Sequence, residues 1–172
     1  MLLYFVVGKR LPTSFILTEG VLEMKRIYVK EEACIGCSLC KVACQVEHSR
    51  SRNMIKAFKK ETPRPVPRIR VESKQEVSFA IQCRQCTEPW CFYSCLTGAM
   101  SKDPVTGIVT VDPERCIGCW TCIIACPYGA LNMDMGSKIV AKCDLCAGRD
   151  MPACVANCPN EALALSTGAG EE

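Results

Sequence analysis

Apolar positions along the chain come in short bursts, and none reaches the roughly 18 residues that a membrane-crossing helix needs. Three bursts alternate around turn residues and predict hairpins. Residues 69–71 and 77–81 read as two strands joined near Ser73-Lys74, residues 104–111 turn at Gly107, and residues 131–141 turn over 134–137. Residues 24–30 form a strand-like lead, and Lys41-Val42-Ala43 suits a helical turn that Gln45 lets run on. The first 23 residues look different. Their apolar run of seven, Met1 to Val7, ends at Lys9-Arg10 and Pro12, too short for a span and without the charged start of a secretory signal. Residues 1–23 are therefore expected to be a disordered or mis-assigned leader, and residues 166–172 a flexible tail.

The polar positions are unevenly charged. Between residues 50 and 70 stand Arg50, Arg52, Lys56, Lys59, Lys60, Arg64, Arg68 and Arg70 against Glu61 alone, a local net of +7, and Pro63, Pro65 and Pro67 keep the middle of this stretch extended. The segment could dock an acidic partner or act as a solvated loop balancing negative charge elsewhere. The overall formal charge of +3 does not make the chain a nucleic-acid binder, because the cysteines change the count.

Sixteen cysteines among 172 residues fall into four quartets with none left over: Cys34, Cys37, Cys40, Cys44; Cys83, Cys86, Cys91, Cys95; Cys116, Cys119, Cys122, Cys126; and Cys143, Cys146, Cys154, Cys158. The third, closed by Pro127, has the bacterial ferredoxin spacing for a [4Fe-4S] cluster: three cysteines wrap one cubane, and the fourth points to another. Each oxidised cubane with four thiolates carries about −2, so a four-cluster protein is net negative. A disulfide framework is disfavoured, since triplets two residues apart are hard to bridge without strain. Structural zinc would suit the second and fourth quartets alone but suits the first and third poorly. No Cys-x-x-Cys is followed by histidine, which excludes covalent haem, and the sole histidine, His48, reads as a solvated helix residue. Arg84, Arg115 and Lys142 stand beside ligands and should raise cluster potentials. Ile117, Trp120, Ile123 and Ile124 should lower them by shielding. Cys34-Ile-Gly-Cys-x-x-Cys recurs as Cys116-Ile-Gly-Cys-x-x-Cys, with all four ligands offset by 82 positions, and the second and fourth quartets also resemble each other. The chain thus reads as two copies of a two-cluster module.

Four quartets in this order resemble the four-cluster ferredoxin subunits that accompany molybdopterin oxidoreductases, some hydrogenases and anaerobic carbon monoxide dehydrogenase. Within that family, the stretches Val46 to Ser51 and Arg64 to Arg70 look closest to the iron-sulfur protein of carbon monoxide dehydrogenase. The resemblance covers residues 24–165. It implies an α+β fold of duplicated bacterial-ferredoxin-like modules, with short hairpins and short helices around four [4Fe-4S] clusters. One lobe would comprise residues 24–45 plus 138–165, the other residues 83–133, with a basic hairpin insert at 46–82. It also implies a wiring: Cys34, Cys37 and Cys40 with Cys158; Cys143, Cys146 and Cys154 with Cys44; Cys83, Cys86 and Cys91 with Cys126; Cys116, Cys119 and Cys122 with Cys95. Gln45 and Leu96 depart from the pattern, standing where the other two quartets have proline. With every iron taken by thiolate no coordination position is open, so the implied role is electron carrier rather than enzyme. The expected setting is cytoplasmic, with no direct membrane insertion. The donor would be carbon monoxide dehydrogenase or another metalloenzyme, and the acceptor a hydrogenase or a flavin- or nicotinamide-dependent oxidoreductase. The alternatives are a subunit of a formate dehydrogenase or other molybdopterin oxidoreductase, and a zinc-stapled interaction scaffold.

Overall fold

The computed structural model describes residues 25–167, so the expectations for the leader and for residues 168–172 lie outside the described residues. The strand-like lead is β1 (Lys25–Val29), which pairs antiparallel with a strand at the far end of the chain, β8 (Leu163–Thr167). Ser166 and Thr167 therefore belong to a strand rather than to a frayed tail, because Arg26 and Lys25 supply their ladder partners. The predicted hairpin at 69–81 is β2 (Ile69–Lys74) and β3 (Val77–Gln82). The next is displaced from its expected place. It pairs β4 (Met100–Lys102) with β5 (Val109–Val111), and residues 104–108 belong to the connection. The cause is Asp103, whose carboxylate accepts the Val105 and Thr106 N–H groups at 2.9 and 2.6 Å and folds the backbone into a turn before a strand can start. In the last hairpin, β6 (Asn132–Asp134) and β7 (Ile139–Ala141), Asp134 does the same for Gly136 and Ser137.

Among the described residues, five short α-helices and a 3-10 turn at Glu31–Ala33 complete an α+β fold: α1 (Leu39–Glu47), α2 (Met54–Lys59), α3 (Trp90–Tyr93), α4 (Thr121–Ala125) and α5 (Ala153–Ala156). Helix α1 packs against α5, and α3 against α4. None of the described helices is long and apolar enough to cross a membrane. Two buried clusters form the core. Ile27, Ile69, Leu145 and Leu163 surround Cys40, Cys44, Cys83, Cys143 and Cys154 in one, while Met100, Val109, Leu131 and Val140 surround Cys91 and Cys122 in the other. Cys126 packs against both.

The proline-rich part of the basic stretch is a strap. Its carbonyls accept side-chain amides from both sides, Gln45 Nε2 to Pro65 O at 3.0 Å and Asn132 Nδ2 to Pro67 O at 2.7 Å. The Arg68 N–H reaches Cys44 Sγ at 3.2 Å. Gly136 lets the strap lie against the β6–β7 turn, since a Cβ there would stand 2.4 Å from Pro63. Prolines suit this path because their carbonyls remain free to accept while they carry no N–H to satisfy.

Candidate metal centres

Two loops of the internal repeat share one backbone conformation. Gly36 and Gly118 both have φ +67°, and two residues on, Ser38 and Trp120 have φ 61° and 62° as they lead into α1 and α4. The left-handed turns curl each Cys-x-x-Cys-x-x-Cys run so that its thiols converge. At Gly118 only glycine fits, because a Cβ would lie 2.4 Å from the Lys138 carbonyl oxygen. In the second and fourth quartets Gln85 and Leu145, each two places after the leading cysteine, are left-handed, and Cys146 continues that conformation after Leu145.

The structure gathers the sixteen thiols into four sets. Set one, Cys34, Cys37, Cys40 and Cys158, lines a cavity beside β3 and β8. Set three, Cys83, Cys86, Cys91 and Cys126, and set four, Cys95, Cys116, Cys119 and Cys122, line two more. The three cavities are similar in size, and each is lined by four cysteines. Set two, Cys44, Cys143, Cys146 and Cys154, alone has every member buried. Cys143 and Cys154 both lie within electrostatic reach of Cys44, as does Cys146. Each set takes three cysteines from one quartet and the fourth from another.

The sets stand in series. Cys40 and Cys44 lie one turn apart on α1 and join sets one and two, where Cys154 also feels Cys40. Cys143 feels Cys83 across the boundary of sets two and three, and Cys122 feels Cys91 across that of sets three and four.

No disulfide joins any of the sixteen cysteines. Burial pushes the Cys154 thiol up to about 12, and those of Cys40, Cys91 and Cys122 to about 11. Burial likewise drives Cys143 well above the usual thiol range. Such thiols are protonated and inert at neutral pH, so they are poor nucleophiles; a bound metal ion supplies the charge that lets them ionise. Donors are already aimed at several sulfurs. The Leu145 N–H points to Cys143 Sγ at 3.4 Å, the Arg68 N–H to Cys44, and the Thr121 hydroxyl to Cys119 Sγ at 3.5 Å, lowering that thiol. Four convergent, soft sulfur donors per cavity, with N–H and O–H groups aimed at them, fit a cubane of iron and sulfide.

His48 differs from its expected solvated role. It caps the C-terminus of α1 with a side chain only 12% exposed, its Nδ1 2.8 Å from the Cys44 carbonyl and its Nε2 3.1 Å from Asp144. Burial opposes its charge, but the bonds to Asp144 and Cys44 prevail and raise its pKa to about 9. Asp144, between Cys143 and Cys146, also binds Arg68 at 2.7 Å and is held well below the usual carboxylate range. This triad ties α1, the strap and the fourth quartet together.

The expected hydrophobic shield is only partly present. Trp120 and Ile117 line the cavity of set four and Ile123 packs against the second core cluster, but Ile117 and Ile124 remain 68% and 85% exposed. Of the three cations expected to act on ligands, Arg84 is exposed and stacks 4.3 Å over the Tyr128 ring, and Arg115 donates to the Thr97 carbonyl at the surface. Lys142 alone is buried.

Four nests of cysteine on a small α+β scaffold define an iron–sulfur protein of the ferredoxin type. Residues 75–168 match the 4Fe-4S dicluster domain family, and the chain belongs to that family. It is 41% identical over 158 residues to the electron transport protein HydN of Escherichia coli K12, spanning 81% of this chain and 87% of that protein. It is 34% identical over 155 residues to an iron-sulfur protein of Rhodospirillum rubrum, spanning 81% and 80% respectively. Over 134 residues it is 33% identical to subunit beta of the NADH-dependent phenylglyoxylate dehydrogenase of Aromatoleum evansii, covering 76% of this chain and 27% of that subunit. The protein is an electron-transfer iron–sulfur protein, an electron carrier rather than an enzyme, and its cofactors are [4Fe-4S] clusters.

Proposed function

We propose that the protein relays single electrons between two redox partners through four [4Fe-4S] clusters, one in each set, with all sixteen cysteines as ligands. The observation that carries this reading is the serial arrangement of the sets, in which α1 and the electrostatic interactions of Cys143 with Cys83 and of Cys122 with Cys91 leave no set isolated. When bound, the cubanes supply reversible one-electron acceptors. Four thiolates per set close every corner to substrate, and the N–H groups of Leu145 and Arg68 stabilise negative charge on their sulfurs. The shared conformation of the Gly36 and Gly118 loops supports reading the fold as a duplicated two-cluster module. Sixteen unpaired cysteines suit a reducing compartment, so we place the protein in the cytoplasm.

For partners, we retain carbon monoxide dehydrogenase as donor, on the sequence resemblance, and a hydrogenase or a flavin- or nicotinamide-dependent oxidoreductase as acceptor. The likeness to a subunit of an NADH-dependent dehydrogenase supports a nicotinamide-linked acceptor. A formate dehydrogenase or another molybdopterin enzyme is the second reading for the donor. Anaerobic purification from the native host separates them by which enzyme travels with the chain.

The docking surface we assign to the partner is the basic face around α2, where Lys56, Lys59, Lys60 and Arg64 are exposed beside Met54 and Ile55, at 59% and 65% exposure. Glu61, the one acid in the stretch, is engaged with the Arg50 and Ser51 backbone N–H groups. An acidic partner would be steered to this face. Electron transfer to the native partner should then slow about tenfold or more from low to high ionic strength. Reversing Lys56 and Lys59 to glutamate should slow it similarly at low salt without loss of iron. Rates indifferent to both changes would remove this face from the account.

A further inference from the structure

Lys142 is 2% exposed, and its Nζ has four partners: Val109 O at 2.5 Å, Cys143 O at 3.2 Å, Gln85 Oε1 at 3.2 Å and Cys83 Sγ at 3.4 Å. Three are neutral oxygens and the fourth is a ligand sulfur. Among the described residues no carboxylate pairs with it. A buried ammonium without a counter-charge is among the costliest arrangements in a protein interior. The negative charge that offsets this one has to come from the thiolates around it. Cys83, which Nζ touches, belongs to set three, and Cys91 of that set also feels the lysine's charge. The Cys143 backbone, which Nζ also touches, belongs to set two.

Gln85 holds the ammonium in place. It is 2% exposed, in a left-handed conformation at φ 46°, and its Oε1 accepts from Lys142 and from the Val109 N–H at 2.9 Å. Its Nε2 donates to the Cys143 carbonyl at 2.9 Å. The clamp therefore spans sets two and three, the boundary at which the series passes from the α1–α5 pair to the α3–α4 pair.

We propose that Lys142 is a fixed positive charge at the midpoint of the relay, which raises the reduction potential of the set three centre above that of its neighbours. The inference rests on the four-cluster reading. One electron arrives from the donor protein and adds one negative charge to the centre. No bond to Lys142 forms or breaks, and no proton leaves it. The ammonium favours the reduced form because charges in a dry interior interact far more strongly than at the surface. Arg84 also lines the set three cavity but is exposed, so water screens its charge, and Arg115 donates to Thr97 at the surface; neither matches the buried ammonium.

The test uses the full chain, prepared anaerobically, with iron and sulfide assayed and each centre followed by paramagnetic resonance during a redox titration. Native protein at about sixteen irons establishes the four-cluster reading independently of the lysine. Lys142→Gln should keep that content and lower one midpoint by at least tenfold in its reduction equilibrium, 59 mV for a one-electron couple. Lys142→Arg, which keeps the charge, should restore it. A fully loaded Lys142→Gln protein with every midpoint unmoved overturns the proposal. Should that variant lose iron, Gln85→Glu, which sets a carboxylate against Nζ while keeping the ammonium, should lower the same midpoint, and an unmoved midpoint there overturns it. Loss of iron in both variants makes the clamp an assembly device and also overturns the proposal.

Discussion

Stripped of iron and sulfide, the protein is expected to unfold. Eight of its buried core residues are cysteines, and the secondary structure around them cannot stand alone. Among the described residues each sheet has two strands and the longest helix has nine residues. Isolated two-stranded hairpins and helices below about 12 residues are marginal in water. Emptying even one cubane site removes more packing than a buried Leu→Ala change, which costs about 2–5 kcal/mol, while a whole domain is stable by only about 5–15 kcal/mol. Four emptied sites exceed that margin. Anaerobic chelation followed by circular dichroism should show loss of most helical and strand signal and no cooperative melt. A chelated chain with native spectra and a sharp transition would mean that the side chains alone make the core.

The second large effect is expected at Cys143. Its thiol is buried in the one set whose four members are all buried, its carbonyl accepts from Gln85 and Lys142, and it lies within electrostatic reach of Cys83 of the next set. Cys143→Ala removes a ligand from the second position of four in the series. Iron should fall from about sixteen to about twelve per chain, and reductive titration should take up about three electrons in place of about four. The decisive readout is transfer from end to end. Cys34→Ala, at the terminal set, should lose similar iron yet still let its remaining three sets exchange electrons with the partner docked at α2. Cys143→Ala should divide set one from sets three and four. Equal partner-coupled rates in the two variants would contradict the series.

Much of this site could be read from the residues, because ligand spacing is a local property. The four quartets, the exchange of each fourth cysteine and the hairpins at 69–82 and 131–141 all follow from positions a few residues apart. What the sequence concealed is what depends on distant partners. β1 meets β8 across the whole length of the chain, so Ser166 and Thr167 seemed to be tail. His48 is drawn inward by Asp144, 96 residues away, and nothing near position 48 signals it. Lys142 stood beside a cysteine in the sequence, as Arg84 and Arg115 did. Only the fold separates the lysine, enclosed by Gln85 and Val109, from arginines that turn to the surface. Ile117 and Ile124 misled for a related reason, since apolar character suggests burial while the backbone there leaves most of both side chains outside. Helices α3 and α5, four residues each, have no periodicity to detect.

What fills the four sulfur sets is the central question. Its most direct test is quantitative iron, zinc and acid-labile sulfide analysis of the native chain purified without oxygen. The expected result is about sixteen irons and about sixteen sulfides per chain in a brown, reducible protein. About four zincs, no sulfide and no colour in a folded chain would contradict it.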